Sequence, residues 1–102
     1  MARRYSLVKV VSEPPVSGEQ FEAALVSSVR RLFGEFGLAR INPRIIRFAT
    51  TDSAAVIACN KEGAEDLQAA IGLISDTDDT RIAAITMRVS GTIKGLRRKQ
   101  RF

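Results

Sequence analysis

The sequence predicts an α+β fold in which two helices cover one face of a four-stranded antiparallel sheet. Three observations carry the prediction. Four short runs rich in apolar and β-branched residues alternate with two longer runs of helical periodicity, in the order strand, helix, strand, strand, helix, strand. A chain of 102 residues is the length of one domain, able to bury a core without staples. Its composition, 45% hydrophobic and 26% charged, is that of a folded globule. This element order defines the split βαβ arrangement, the ferredoxin-like βαββαβ sandwich.

The first strand is "YSLVKVV", Tyr5–Val11, closed by Glu13 and two prolines that cannot enter a helix interior. Ser17, with Gln20 three residues later, is a capping box opening the first helix, "SGEQFEAALVSSVRRLFGEFG". Phe21, Leu25, Val29, Leu32 and Phe36 recur at helical spacing and define its buried face. Gly37 is expected at the left-handed C-cap, with Leu38 as the hydrophobic residue that follows. Gly34 costs about 1 kcal/mol against alanine inside a helix, which points to a close-packed neighbour there. Two strands follow, Arg44–Thr50 and Ser53–Asn60, with Thr51 and Asp52 in a tight hairpin. "EGAEDLQAAIGLISDT" is the second helix, with Leu67, Ala70, Ile71 and Ile74 as its apolar stripe and Glu62, Glu65 and Asp66 at its dipole-favoured start. Arg81–Gly91 is the fourth strand. Residues 1–91 are thus the folded domain and 92–102 a basic tail.

The tail dominates the electrostatics. The chain holds 16 basic and 11 acidic residues, and five of the cations, Lys94, Arg97, Arg98, Lys99 and Arg101, fall in the last nine positions. What remains is formally neutral, so the whole net charge of +5 belongs to the tail.

Several function classes are excluded by what the chain contains. Cys59 is the only cysteine and there is no histidine, so an intramolecular disulfide, a structural zinc site and a Ser-His or Cys-His pair all lack their residues. No apolar run approaches the roughly 20 residues of a membrane span, and the N-terminus does not read as a secretory signal. A cytoplasmic protein that meets no membrane is expected. Cys59, among small apolar strand residues, reads as a buried thiol. The loop after the first strand carries Glu13 and Glu19 where an oxyanion cradle would need amides or cations, and "GTIKG" fails the phosphate-loop spacing. Asp76, Asp78 and Asp79 crowd one turn as solvated helix-end residues. No catalytic residue and no metal site is expected.

Two binding readings remain. Base stacking on the sheet needs aromatics on the central strands, here the first and third, yet the third has none and the first only Tyr5; Phe21, Phe33 and Phe36 belong to the helix and its core. Docking by charge is better supplied. Arg30, Arg31, Arg40 and Arg44 form a second basic string beside the tail, and strand alternation puts Lys9, Arg47 and Arg88 on the sheet face away from the helices. For any single arginine a solvated surface charge is the simpler reading. A tail neutralising about four or five phosphates gives a log–log salt slope near −3 to −4 and weak binding by itself, so other subunits would add the affinity.

Two stretches carry a resemblance. "LFGEFGLARINPRII" (Leu32–Ile46) and "VSGTIKGLRRK" (Val89–Lys99), in order and at this separation, closely resemble segments of the Pop-five family, the archaeal ribonuclease P protein component 2. The resemblance covers nearly the whole chain. It implies a non-catalytic protein subunit that assists the ribonuclease P RNA in removing 5′ leaders from precursor tRNA, with magnesium serving the RNA rather than the protein. It also implies pairing with ribonuclease P protein component 3 in a heterotetramer. Lys94, Arg97, Arg98 and Lys99 are then the expected phosphate contacts, with Arg101 beside them. Leu38 and Ile41, apolar in the loop after the first helix, and Ile93 and Leu96, three apart in the tail, are the expected partner contacts. Family members often run longer at their ends, so any further C-terminal helix here is expected to be short or missing. A ferredoxin-like regulatory or small-molecule-binding domain with an incidental tail is the alternative, and an acylphosphatase-like hydrolase stands third.

Overall fold

The computed structural model describes residues 2–49, 53–74 and 80–95. The elements are β1 (Arg3–Glu13), α1 (Gly18–Ile41), β2 (Arg44–Ala49), β3 (Ala54–Asn60), a 3-10 turn (Lys61–Gly63), α2 (Ala64–Gly72) and β4 (Arg81–Ser90). The sheet order is β2-β3-β1-β4 with every pair antiparallel, which places β1 and β3 at the centre as the sequence predicts.

Alternation along the strands sorts the two faces. Val8 and Val10 of β1, Ala55, Ile57 and Cys59 of β3, and Ile82 and Ala84 of β4 point toward the helices and are buried. They meet Phe21, Leu25 and Val29 of α1 and Leu67, Ala70 and Ile71 of α2 in one core. Each large aliphatic or aromatic side chain so buried contributes roughly 1.5–3 kcal/mol. The two helices are tied by a buried hydrogen bond from Ser28 Oγ to the Ala70 carbonyl, 2.7 Å. Helices cover one face only, and the molecule is 17 Å along its shortest axis.

The predicted capping box is present. Ser17 Oγ accepts from the Gln20 amide at 3.1 Å, and Gln20 Oε1 accepts from the Ser17 amide at 2.8 Å. The end of α1 differs from the sequence reading. The helix runs four residues past Gly37 and is capped by Asn42 in the left-handed conformation (φ 46°, ψ 60°), whose amide bonds to the Leu38 carbonyl at 2.8 Å. The positive φ falls at Gly34 instead (φ 71°, ψ −175°), a backbone region open essentially to glycine alone. A Cβ on Gly34 would meet nothing within 4 Å, whereas one on buried Gly37 would run into Cβ of Phe33. The two glycines exchange the roles the sequence suggested: Gly34 permits the break and Gly37 the close packing.

That break resets the helical phase of the residues after Gly34. Phe21, Leu25 and Val29 are buried, but Leu32 is exposed and Phe36 is 93% exposed, so neither belongs to the core face assigned from spacing. Phe33 and Leu38 pack against the core in their place. Ile41, expected in a loop, is the last helical residue and is fully buried. The 3-10 turn closes on it so tightly that a Cβ on Gly63 would lie 2.7 Å from Ile41 Cα.

The second helix is shorter than predicted, with Lys61–Gly63 as a 3-10 turn, yet Leu67, Ala70, Ile71 and Ile74 are all buried. β1 is longer than its apolar stretch at both ends, because Arg3 pairs with Asn60 and Glu13 with Arg81. Two register shifts matter for the open face. Ile46 is passed over between Ile45 and Arg47 in β2, and Met87 between Thr86 and Arg88 in β4. The predicted hairpin at Thr51 and Asp52, and the acidic turn at Asp76, Asp78 and Asp79, lie outside the described residues.

Candidate nucleic-acid interface

The uncovered sheet face can be read row by row from the register. One row crosses all four strands as Arg47, Val56, Leu7 and Arg88. The next toward the start of β1 is Arg44, Ala58, Tyr5 and Ser90; the next the other way is Ala49, Ala54, Lys9 and Ile85. Neighbours in a row are about 4.8 Å apart. The register shifts are what bring Arg44 together with Arg47, and Ile85 with Arg88, since residues three apart on a regular strand face opposite ways. Lys9, Arg47 and Arg88 therefore share this face, as alternation suggested.

Charge on this face is nearly all of one sign. Arg81 stands opposite Glu13, the single acid on the strands. The other cations face neutral partners: Arg3 opposite Asn60, Lys9 between Ala54 and Ile85, Arg44 opposite Ala58, Arg47 opposite Val56, Arg88 opposite Leu7. The summed charge of zero for the body conceals this local positive field.

Three of the expected RNA contacts lie elsewhere. Arg30 pairs with Glu35 at 2.8 Å, Arg31 donates to the Leu73 carbonyl at 3.1 Å, and Arg40 pairs with Asp66 while donating to the Glu62 carbonyl at 3.4 Å. These side chains tie α1 to itself and to the α2 region while remaining exposed. Arg44 belongs to the open sheet face instead. Lys94 is exposed just past β4, where Thr92 organises the turn: its amide donates to Ser90 Oγ at 3.2 Å and its hydroxyl accepts from the Gly95 amide at 2.9 Å. Arg97, Arg98, Lys99 and Arg101 lie outside the described residues.

Among the expected partner contacts, Ile41 has no surface to offer, being wholly within the core. Leu38 lines an open groove of about 560 Å³ between α1 and the edge strand β2, with Val26, Pro43, Ile45 and Ile46. Glu22 and Glu35 contribute carboxylates to it, and exposed Phe36 follows Glu35 in the chain. An apolar floor with acids at the side suits a protein segment carrying a cation better than an RNA. Ile93 is exposed, and Leu96 lies outside the described residues.

No group of three or more His, Cys, Asp or Glu side chains gathers as a metal site among the described residues. Cys59 is fully buried, and desolvation pushes its thiol above the ordinary value of 9.0, with the charges of Arg3 and Arg4 pulling the other way. A thiol held protonated is no nucleophile at neutral pH.

Fold and surface together define a small ferredoxin-like module whose open sheet face is rich in cations. The sequence matches the Rpp14/Pop5 family over residues 4–101, and the chain belongs to that family. A ribonuclease P protein component 2 from Pyrococcus furiosus is 32% identical over 97 residues, 95% of this chain and 81% of the relative. One from Aeropyrum pernix is 34% identical over 96 residues, covering 91% and 77%. A chain in a cryo-EM structure of yeast ribonuclease MRP superposes with a TM-score of 0.74 at 13% identity, over 97% of this chain and 91% of that one; at such identity the likeness concerns the fold.

Proposed function

We propose that this chain is a protein subunit of the ribonuclease P ribonucleoprotein, assisting a catalytic RNA in removing 5′ leaders from precursor tRNA. The observation that carries the reading is the extent of the family match, residues 4–101, through both layers of the sandwich and into the basic tail. The chemistry agrees with it. The open sheet face carries Lys9, Arg44, Arg47 and Arg88 with Glu13 as the one acid on the strands, a surface suited to a module that positions a polyanion.

In this reading Lys94, Arg97, Arg98 and Lys99, with Arg101, neutralise RNA phosphates. Magnesium acts with the RNA and the protein holds none. Ribonuclease P protein component 3 is the protein partner, in a heterotetramer, and the groove at Leu38 with its acids Glu22 and Glu35 is the surface assigned to it. The particle works in the cytoplasm. Sheet cations and tail together supply a screening charge that reduces the magnesium the RNA needs.

The test is precursor-tRNA cleavage by the cognate RNA with its full protein set, comparing the intact chain with one ending at Gly91 across a magnesium titration. A marked loss, partly recovered at high magnesium, is expected. Unchanged cleavage at every magnesium concentration would remove the phosphate role of the tail, and no stimulation by the intact chain would remove the ribonuclease P reading itself.

A further inference from the structure

Tyr5 occupies a position that the charge-docking reading leaves unused. It lies on the open face of central strand β1, half-buried, between Ala58 on one side and Ser90 on the other. Phe48, the other aromatic of the sheet, points to the helices and stacks on Phe21 with ring centroids 5.6 Å apart. Tyr5 is thus the one aromatic side chain on the open face among the described residues. Ala58 is fully buried although it faces away from the helices, so larger neighbours close over it, and the register puts Tyr5 and Arg44 on its two sides. The face at this point is a ring in a floor of small residues with cations around it.

The surrounding charges favour an anion. Arg44 is in the same row as Tyr5, Arg47 and Arg88 are in the next, Lys9 is one row further, and Arg3 is two residues back along β1. Glu13 lies eight residues away along the strand, about 27 Å at strand rise. Ser90, beside Tyr5, is also the last residue of β4, so the basic tail departs from this same end of the sheet. Both neighbours of β1 are paired strands, which leaves no edge for a peptide to extend; what is available is a flat surface.

We propose that this end of the open face is a platform for single-stranded RNA, with one unpaired base stacked on the Tyr5 ring and the flanking phosphates held by Arg44, Arg47 and Lys9. Aromatic stacking accepts any base, and the cations follow the backbone, so the platform selects an unpaired segment rather than a sequence. The proposal rests on the ribonuclease P reading for the source of the RNA. It restores to Tyr5 the stacking role that the absence of aromatics on β3 argues against.

Tyr5 is the only tyrosine and the chain has no tryptophan, so tyrosine emission reports on this ring alone. The full chain is titrated at low salt with a nine-nucleotide oligouridylate, and separately with a polyglutamate of similar length. Saturable quenching by the RNA and not by the acidic peptide is expected. Read instead by anisotropy of a fluorescein-labelled oligouridylate, Tyr5→Phe should bind within about twofold of the parent, and Tyr5→Leu about five- to a hundredfold more weakly. Arg44→Ala with Arg47→Ala should shallow the log–log salt slope by about 1.4, at 0.7 per phosphate contact on a single strand. Emission unchanged at saturation, or equal quenching by polyglutamate, overturns the platform. So does parent-like binding by the double arginine variant, which needs no change at Tyr5 and stays informative if Tyr5→Leu fails to fold. The two readings separate in the cleavage assay: full stimulation by the double arginine variant rejects the platform alone, whereas no stimulation by the parent rejects the ribonuclease P reading.

Discussion

The two layers of this molecule use their cations in opposite ways. The strands hold seven, Arg3, Arg4, Lys9, Arg44, Arg47, Arg81 and Arg88, against Glu13 alone. The helical elements hold four, Arg30, Arg31, Arg40 and Lys61, against Glu19, Glu22, Glu35, Glu62, Glu65 and Asp66. In the helical layer an arginine is a structural strut, with a carboxylate or a carbonyl within reach. On the open sheet face Arg44 and Arg47 stand opposite alanine and valine, and Arg81 alone stands opposite an acid, Glu13. A count that sums to zero therefore hides a polarised body, and the fold, not the composition, creates the dipole.

Substitutions can break or sharpen this contrast. The largest effect belongs to the layer boundary: Phe21→Ala, removing a fully buried ring stacked on Phe48, should cost about 3–5 kcal/mol in urea unfolding. Next comes the helix break. Gly34→Ala should cost about 1–3 kcal/mol from backbone strain although its Cβ meets no neighbour, and a Gly34→Ala chain as stable as the parent would show that the helix can straighten there.

The contrast itself is tested by two arginines. Arg40→Ala should lower stability by at most about 1 kcal/mol through loss of the Asp66 pair, and leave the salt slope of RNA binding unchanged. Arg47→Ala should do the reverse, shifting the slope by about 0.7 with stability within about 0.5 kcal/mol of the parent. Equal behaviour of the two would erase the distinction between the layers.

The smallest effect is alkaline. Burial raises the folded-state value of Cys59 above 9.0, so the native chain keeps this proton longer than the unfolded one. Its contribution is complete below pH 9 and is lost as pH climbs through the folded value. Cys59→Ala should therefore show a shallower fall of stability above pH 9, measured by denaturant midpoints across that range.

Much of this was legible in the sequence where periodicity and capping agree. The capping box at Ser17 and Gln20, the stripe through Leu67, Ala70, Ile71 and Ile74, and the central placement of β1 and β3 all follow from local patterns. The errors cluster where tertiary context decides. Two glycines three residues apart look interchangeable in a string, and only the packing of Phe33 tells which one must lack a side chain. Phe36 fits the helical spacing, yet the turn at Gly34 rotates it out to solvent. Arg44 and Arg47 share a face through a register shift that no alternation rule anticipates. Ile41 reads as a loop residue until Asn42, and not Gly37, is seen to end the helix.

The hidden position of Cys59 has a practical side. Its sulfur lies on the helix-facing side of β3, directly opposite Arg4 of β1, and no other thiol exists in the chain. A modifying reagent can reach it only when the helical layer lifts from the sheet or the chain unfolds, so the labelling rate is a clock for that opening. Anything that grips the native face slows that clock by mass action, without needing a dye or a tag.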